Sequence, residues 1–441
     1  MGSLLKRLAG LSRSDVLRQA LLGLGLQAFG KVLAFGLTLL LARLLQASEF
    51  GSFAYARNWV FLLGPLATLG YVGAAQRFIP GYLYDEAYGS AAGFTWHCFR
   101  VVTTVGVAVA VAFAAAAVTF PDLIDGSYWW AALCILPSIP AYAVLFALLA
   151  VGRSFNLTVV AYAPLLIAQP LLHLLLFYLA VAGGLPADGV TASASFAAAT
   201  VLVCAASLPI LWAHVPRAVR EARRVTLRRP WLEFALPTSV TVGASTVMAR
   251  FPTVAVGLFS AATGVGQFAV ALAVAQTLAM ARDAASGAVL PELSRRVAAN
   301  DVAGARRVLA LGLAISLVPT LLGASIFWIA GDRILGVFGQ SFIGAGPLLD
   351  VLVLDQLIQT AALLPSAFLT VVARPLLNIR ILSASAFVGS AMSLVLASQW
   401  GPAGAAFGSL TASLVLLVLT SLACRKELSR LGRVKASSGP A

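Results

Sequence analysis

The sequence predicts an all-α polytopic membrane protein: about twelve transmembrane helices in two pseudo-symmetric six-helix lobes around a central cavity. Three observations carry this. Of 441 residues, 60% are hydrophobic and only 10% charged, with a mean hydropathy of +0.94, where a soluble domain sits nearer half apolar and a quarter charged. The apolar residues fall into runs long enough to cross a bilayer, which takes roughly 20 residues. The basic residues fall between those runs, where orientation signals lie. The net charge of +14 is therefore read as topology and not as nucleic-acid binding.

In chain order the predicted helices are near 20–45, 53–75, 97–120, 129–151, 156–182, 190–213, 232–258, 263–289, 309–331, 347–372, 376–398 and 402–424. The first follows a basic start (Lys6, Arg7, Arg13, Arg18). It is too long for a signal-peptide core and is read as retained. With a cytoplasmic N-terminus, 23 of the 30 basic residues fall in inside segments and one, Arg333, falls outside with Asp332, Glu49, Asp122, Asp125 and Asp188. An odd helix count would put the basic tail outside, so both termini are expected in the cytoplasm. The four cysteines (Cys98, Cys134, Cys204, Cys424) lie in or beside apolar runs without a CxxC pair and read as small buried hydrophobes. The three histidines are far apart and show no metal spacing.

The basic stretch from His214 to Pro230 divides the chain. The expected organisation is a six-helix lobe over 1–213, a basic cytoplasmic linker over 214–231, a second lobe over 232–424 and a basic cytoplasmic tail over 425–441. The linker reads as a topology anchor, with a site for anionic lipid or a partner enzyme as the alternative. The halves look related. Gly51-Ser52-Phe53-Ala54-Tyr55-Ala56 and Gly266-Gln267-Phe268-Ala269-Val270-Ala271 share G-x-F-A-x-A, and Arg153 and Arg374 each precede an asparagine, Asn156 and Asn378. Same-direction repeats imply a pseudo-twofold axis along the membrane normal, with a cavity between the halves.

Three cations fall inside predicted helices, Lys31, Arg57 and Arg250. A cation at the centre of a spanning helix costs about 2.5–3.5 kcal/mol on insertion scales, so such residues mark cavities and ion paths. Positions 4, 7 and 11 apart share a helix face. Gln27, Lys31 and Thr38 make one stripe, Arg57, Gly64 and Thr68 a second, and Ser239, Gly243, Thr246 and Arg250 a third. Together they outline a positive cavity suited to an anionic cargo. For Arg57, and more strongly for Arg43, the alternative is snorkelling to the interface. Asp355, on a face with Gln359 and Ser366, either carries a coupling proton or sodium ion or neutralises an arginine. Asp283, beside Arg282, either couples an ion or balances that charge. No P-loop, G-x-S-x-G elbow or H-E-x-x-H is present, so no enzyme, cofactor or metal is expected.

The run LARLLQASEFGSFAYARNWVFLLGPLATLGYVGAAQRFIP (41–80) resembles the N-terminal signature of bacterial polysaccharide-biosynthesis flippases of the multidrug/oligosaccharidyl-lipid/polysaccharide exporter superfamily. LEFALP (232–237), GVGQFAVALAV (264–274), LPELSRRVAANDVAGARRV (290–308) and VFGQSFIGAGPLL (337–349) resemble it too. The resemblance implies two six-helix lobes rocking about a central cavity in the bacterial inner membrane. It implies an oligosaccharide on undecaprenyl pyrophosphate as cargo, destined for O-antigen, capsule or exopolysaccharide. Membrane lipids, a polymerase and chain-length machinery are the implied partners, and nucleic acid is not. Many relatives carry an acid in the seventh helix near the site of Arg250-Phe251-Pro252; it is missing here, so no coupling role is carried over to that position.

Overall fold

The structure, a computed structural model, describes residues 13–119, 126–299, 301–371 and 375–437. Lys6, Arg7, Asp122, Asp125 and Arg374, used above for orientation and repeat, lie outside the described residues. Within them every regular element is helical. In order these are α1 (Arg13–Ala67), α2 (Tyr71–Tyr84), α3 (Tyr88–Thr119), α4 (Gly126–Cys134), α5 (Ser138–Ser154), α6 (Thr158–Ala163), a π-helical turn (Pro164–Ala168), α7 (Gln169–Ala182) and α8 (Gly189–His214). Then follow α9 (Arg217–Glu221), α10 (Arg228–Phe259), α11 (Ala262–Ala275), a 3₁₀ turn (Gln276–Leu278), α12 (Ala279–Ala298), α13 (Val302–Phe338), a 3₁₀ helix (Gln340–Ala345), α14 (Gly346–Val371) and α15 (Pro375–Ser437).

Among the described residues, eight helical stretches are long and apolar enough to cross a membrane, and the pair α4–α5, bent by 51°, makes a ninth. Two of the eight are double. Leu21–Ala67 has 47 residues and Leu376–Arg430 has 55, so at 1.5 Å per residue each is about twice the 30 Å hydrocarbon thickness or more. Each breaks where its backbone leaves the helical region, at Gln46 (φ 60°) and at Gly401 (φ 56°). Dividing them there and adding the shorter apolar stretch Ala262–Leu278 gives the expected twelve.

The helix expected over 97–120 starts earlier, at Tyr88, the one expected over 309–331 runs Val302–Phe338, and three further spans change course. The helix expected over 53–75 begins directly after Gln46 and ends at Ala67, where Leu69 and Gly70 take positive φ before α2 starts. Gly70 is needed there twice over: its φ is +76°, and a Cβ would stand 2.1 Å from the Ala235 carbonyl oxygen of α10. The span expected over 129–151 bends around Pro137, which lacks the amide that would continue the helix. The span expected over 156–182 contains the π turn that begins at Pro164.

The chain forms two compact units. The first comprises residues 1–37, 63–121 and 130–239; the second 38–62, 122–129 and 240–441. In the first, α5 runs through the core, with Ile139, Ala143, Leu145, Ala147 and Leu148 fully buried on successive faces. A helix apolar all round belongs inside. Small residues let its neighbours close in: a Cβ on Gly106 of α3 would meet Pro140 at 2.8 Å, and one on Gly152 would meet Ala161 at 2.8 Å. In the second unit the two arms of α15 fold back on each other, Gly389 against Ala412, Gly408 against Ser393 and Gly404 against the Leu396 carbonyl. At the C-terminal end of α12, Arg296 bonds both Glu292 (2.7 Å) and Asp301 (3.0 Å), and Asp301 caps α13 through the Gly304 amide. The hydrogen bond from Arg296 holds the Glu292 carboxyl below its usual range. All four cysteines are free, three buried and Cys134 partly so.

The repeat motif has a structural counterpart inside the second unit. A Cβ on Gly51 would stand 1.8 Å from the Ala262 carbonyl oxygen, and one on Gly266 would stand 2.1 Å from the Ala47 carbonyl oxygen. The two motif glycines therefore face each other, and each receives the carbonyl four residues before its counterpart. Phe53 and Phe268, at matching places in the motif, are both fully buried.

Candidate functional site

From Gly51 the second arm of α1 runs antiparallel to the end of α10, both within the second unit. Contacts step from Gly51 against Ala262, through the Tyr55 ring against Gly257, to the Asn58 amide donating to the Arg250 carbonyl at 3.1 Å. The Tyr55 ring packs at a tilt against Tyr128, centroids 4.6 Å apart, and the Tyr128 hydroxyl donates to the Ser260 carbonyl at 2.9 Å. This packing sets the register that brings two of the three predicted cations together. The Arg250 guanidinium lies 4.9 Å from the Phe61 ring centroid, and that of Arg57 lies 5.6 Å from the same ring and 5.1 Å from Phe53. Both arginines are half-buried. An aromatic face attracts a cation by roughly 0.5–2 kcal/mol, more when dry, so the pair is held without its charge being cancelled by the rings. Thr246, one turn from Arg250, is half-buried, and Thr38 is buried.

Lys31 and Gln27 belong to the first unit. The Gln27 amide donates to the Tyr162 hydroxyl and to the Gly23 carbonyl, each at 3.2 Å, and Arg153 lies 5.8 Å from the Tyr162 ring. α1 approaches α6 and the π turn closely here: a Cβ on Gly30 would meet the Leu166 side chain at 2.7 Å. Lys31, next in sequence and half-buried, thus sits where α1 crosses that widened turn. Thr68, fully buried in the same unit, gives its hydroxyl to the Pro65 carbonyl at 2.7 Å. Arg43, read from sequence as a snorkelling residue, is exposed and donates to the Val337 carbonyl at 2.6 Å near the end of α13, where a cation complements the helix dipole.

Asp355 is 1% exposed. Its carboxylate accepts from the hydroxyls of Ser413 and Ser409 (2.9 Å for the latter) and from the Gln359 amide at 2.9 Å. The Gln359 carbonyl accepts from Arg282 at 3.2 Å, and Arg282 lies 3.7 Å from Asp283, whose side chain is half-exposed. A continuous polar path therefore runs from an accessible carboxylate to a buried one. Gln359 shares the Asp355 face as expected, whereas Ser366 turns instead to Asn378 at 2.9 Å. The sequence reading missed Ser409 and Ser413, although their i, i+4 spacing in an apolar helix puts two hydroxyls on one face, and it missed Phe53 and Phe61, which bracket Arg57 at the same spacing. Replacing Asp355 with Ala leaves two buried hydroxyls without their acceptor, at about 1–3 kcal/mol each, and frees the half-buried Gln359 amide. Thermal melting in detergent is expected to fall by several degrees, and by much less for Asp355→Asn.

No family model matches the chain, and no curated protein matches it significantly. Solved structures do. An inward-facing multidrug resistance MATE family transporter of the MOP superfamily is similar at a TM-score of 0.75 and 14% identity, over 91% of this chain and 96% of that one. The lipid II flippase MurJ in an inward closed conformation gives 0.73 and 13%, over 93% and 90%. A MOP superfamily transporter from Pyrococcus furiosus, described for the reversed polarity of its binding pocket, gives 0.63 and 13%, over 95% and 96%. The chain is a multi-pass membrane protein with the fold of the MOP-superfamily transporters.

Proposed function

We propose that this protein translocates undecaprenyl-pyrophosphate-linked oligosaccharide across the bacterial inner membrane by alternating access, with both termini in the cytoplasm, supplying O-antigen, capsule or exopolysaccharide assembly. The observation that carries the proposal is the pairing of Arg57 and Arg250 on Phe61, two guanidinium groups in apolar helices. They offset the cost of bringing a pyrophosphate out of water, through charge-assisted bonds that guanidinium groups make to phosphate oxygens. Lys31, Gln27, Thr38, Thr68 and Thr246 are also proposed to meet the cargo during the cycle, Thr38 and Thr68 being buried in the state described here. The bodies proposed to move are the halves 1–213 and 232–424, with residues 38–62 going with the second half, into which they pack, and a polymerase and chain-length machinery take the product. The reading is non-enzymatic. A lipid-linked cargo also accords with the likeness to a lipid II flippase.

Asp355 is the proposed coupling carboxylate, with Asp283 at the mouth of its polar path. In proteoliposomes, Asp355→Asn is expected to make cargo movement insensitive to an imposed proton or sodium gradient; unchanged gradient dependence contradicts the coupling role. A second reading, a cation-coupled multidrug-type exporter, is favoured by the likeness to a multidrug transporter and by the aromatic rings of Phe53 and Phe61. Expression in a glycan-export mutant and in an efflux-deficient strain separates the two. Restored surface polysaccharide without drug resistance supports the flippase, and the reverse supports the exporter.

A further inference from the structure

The segment from His214 to Pro230 carries six arginines and no lysine, and it is fastened down. Val215 and Val219 are buried in the core of the first unit. The Val225 amide donates to the Gly89 carbonyl at 2.9 Å, and a Cβ on Gly93 would stand 1.9 Å from the Val225 carbonyl oxygen. Just beyond, the buried Trp231 donates its indole N–H to the Tyr82 hydroxyl at 2.8 Å. The segment is a strap laid across the start of α3, and what it exposes is arginine.

Two of these charges are balanced locally, Arg217 by Glu221 (2.6 Å) and Arg229 by Glu233 (2.8 Å). Among the described residues no carboxylate lies within ion-pair distance of Arg220, Arg223, Arg224 or Arg228. Arg224 places its guanidinium 4.0 Å from the centroid of the Trp96 ring. Trp96 is exposed and packs edge-on against Trp212 at 6.1 Å, the kind of aromatic pair found at headgroup level. Arg100 follows Trp96 by one helical turn, and Arg228 lies three residues before Trp231, whose ring packs 5.3 Å from that of His97. Arg100, Arg224 and Arg228 are thus carried by segments that meet at the Trp96–His97 turn of α3. From that turn an exposed stripe runs along the same helix face, through Thr104 to Val107 and Val111. The Thr104 hydroxyl is taken up by the Arg100 carbonyl at 2.9 Å.

We infer that this cluster binds the phosphate of an anionic phospholipid of the surrounding bilayer, with an acyl chain lying on the α3 stripe. Guanidinium forks match phosphate oxygens in pairs, and a strap already fixed by buried valines and tryptophan loses little freedom on binding. The apolar stripe leading away from the cations selects a bilayer lipid over free phosphate. The site is separate from the proposed cargo residues and does not depend on the transport reading.

Native mass spectrometry of the full-length protein in detergent tests it, titrating phosphatidylglycerol, phosphatidylcholine of the same acyl chains, undecaprenyl pyrophosphate and inorganic phosphate. Phosphatidylglycerol is expected to be retained over phosphatidylcholine. Its affinity is expected to fall about fivefold in Arg224→Gln and about fiftyfold or more in the triple Arg100→Gln, Arg224→Gln, Arg228→Gln variant. Arg217→Gln, whose partner is Glu221, is expected to bind like wild type. Should the triple variant fail to fold, the single variant, which leaves every buried anchor in place, decides. Equal retention of both phospholipids overturns the inference. So does an equal loss in Arg217→Gln, stronger competition by inorganic phosphate than by phosphatidylcholine, or displacement of phosphatidylglycerol by undecaprenyl pyrophosphate at lower concentration than by phosphatidylglycerol itself.

Discussion

Charge reversal at Arg57 or Arg250 is expected to reduce surface polysaccharide at least about tenfold while membrane levels of the protein stay near normal. A charge-assisted hydrogen bond contributes about 1.5–3 kcal/mol, so losing one costs roughly ten- to hundredfold, and a carboxylate in its place adds repulsion toward a pyrophosphate. Folding is expected to survive because both side chains are half-buried and rest on aromatic faces. Arg57→Lys keeps the charge but loses the guanidinium held over Phe53 and Phe61, and should retain part of the activity. Quantitative surface-glycan staining beside membrane immunoblots makes the measurement. Full export by both reversal variants removes the arginine pair from the mechanism.

The second large effect is on stability. Gly266→Leu is expected to collapse the yield of folded, monodisperse protein, and Gly51→Leu to do the same. At both sites the first atom of any side chain falls on a backbone carbonyl of the facing helix, 2.1 Å and 1.8 Å away. A carbonyl in a helix cannot swing aside like the end of a flexible side chain, so the helices must separate. Overpacking ordinarily costs about 1–3 kcal/mol and occasionally more; losing the reciprocal contact puts these variants at the upper end or beyond. Gly36→Ala is the control, since a Cβ there meets nothing within 4 Å, and better helix propensity makes it neutral or slightly stabilising. Size-exclusion profiles and melting curves of the three variants distinguish a packing lock from a general intolerance of substitution.

The helix inventory was readable because hydrophobic length is a one-dimensional signal, and arginine placement fixed the parity of the count. The G-x-F-A-x-A match was also readable, although nothing in it says that Gly51 and Gly266 meet. That needs the third dimension, where one glycine requires the other's backbone. The breaks were legible only where their cause is local. Pro137 announces its bend, but Gln46 turns the chain with an ordinary residue, because the strain is carried by the packing of Ala47 and Gly51 just after it. For the site, helical spacing put Arg57 and Arg250 on polar stripes. It could not choose between snorkelling and clustering, which depends on Phe61 lying between two helices almost two hundred residues apart. Asp355 stood out as a charge in an apolar run. Its serine partners did not, because hydroxyls are common in membrane helices and normally bond their own backbone.

The central claim, movement of a lipid-linked anionic glycan, is tested most directly in proteoliposomes holding the purified protein and a fluorescent undecaprenyl-pyrophosphate oligosaccharide. Accessibility of the label to an external quencher reports its crossing. The account predicts crossing that requires the protein and is lost in both Arg57→Glu and Arg250→Glu. Vesicles that leave the glycan lipid in place yet move a cationic drug would contradict it.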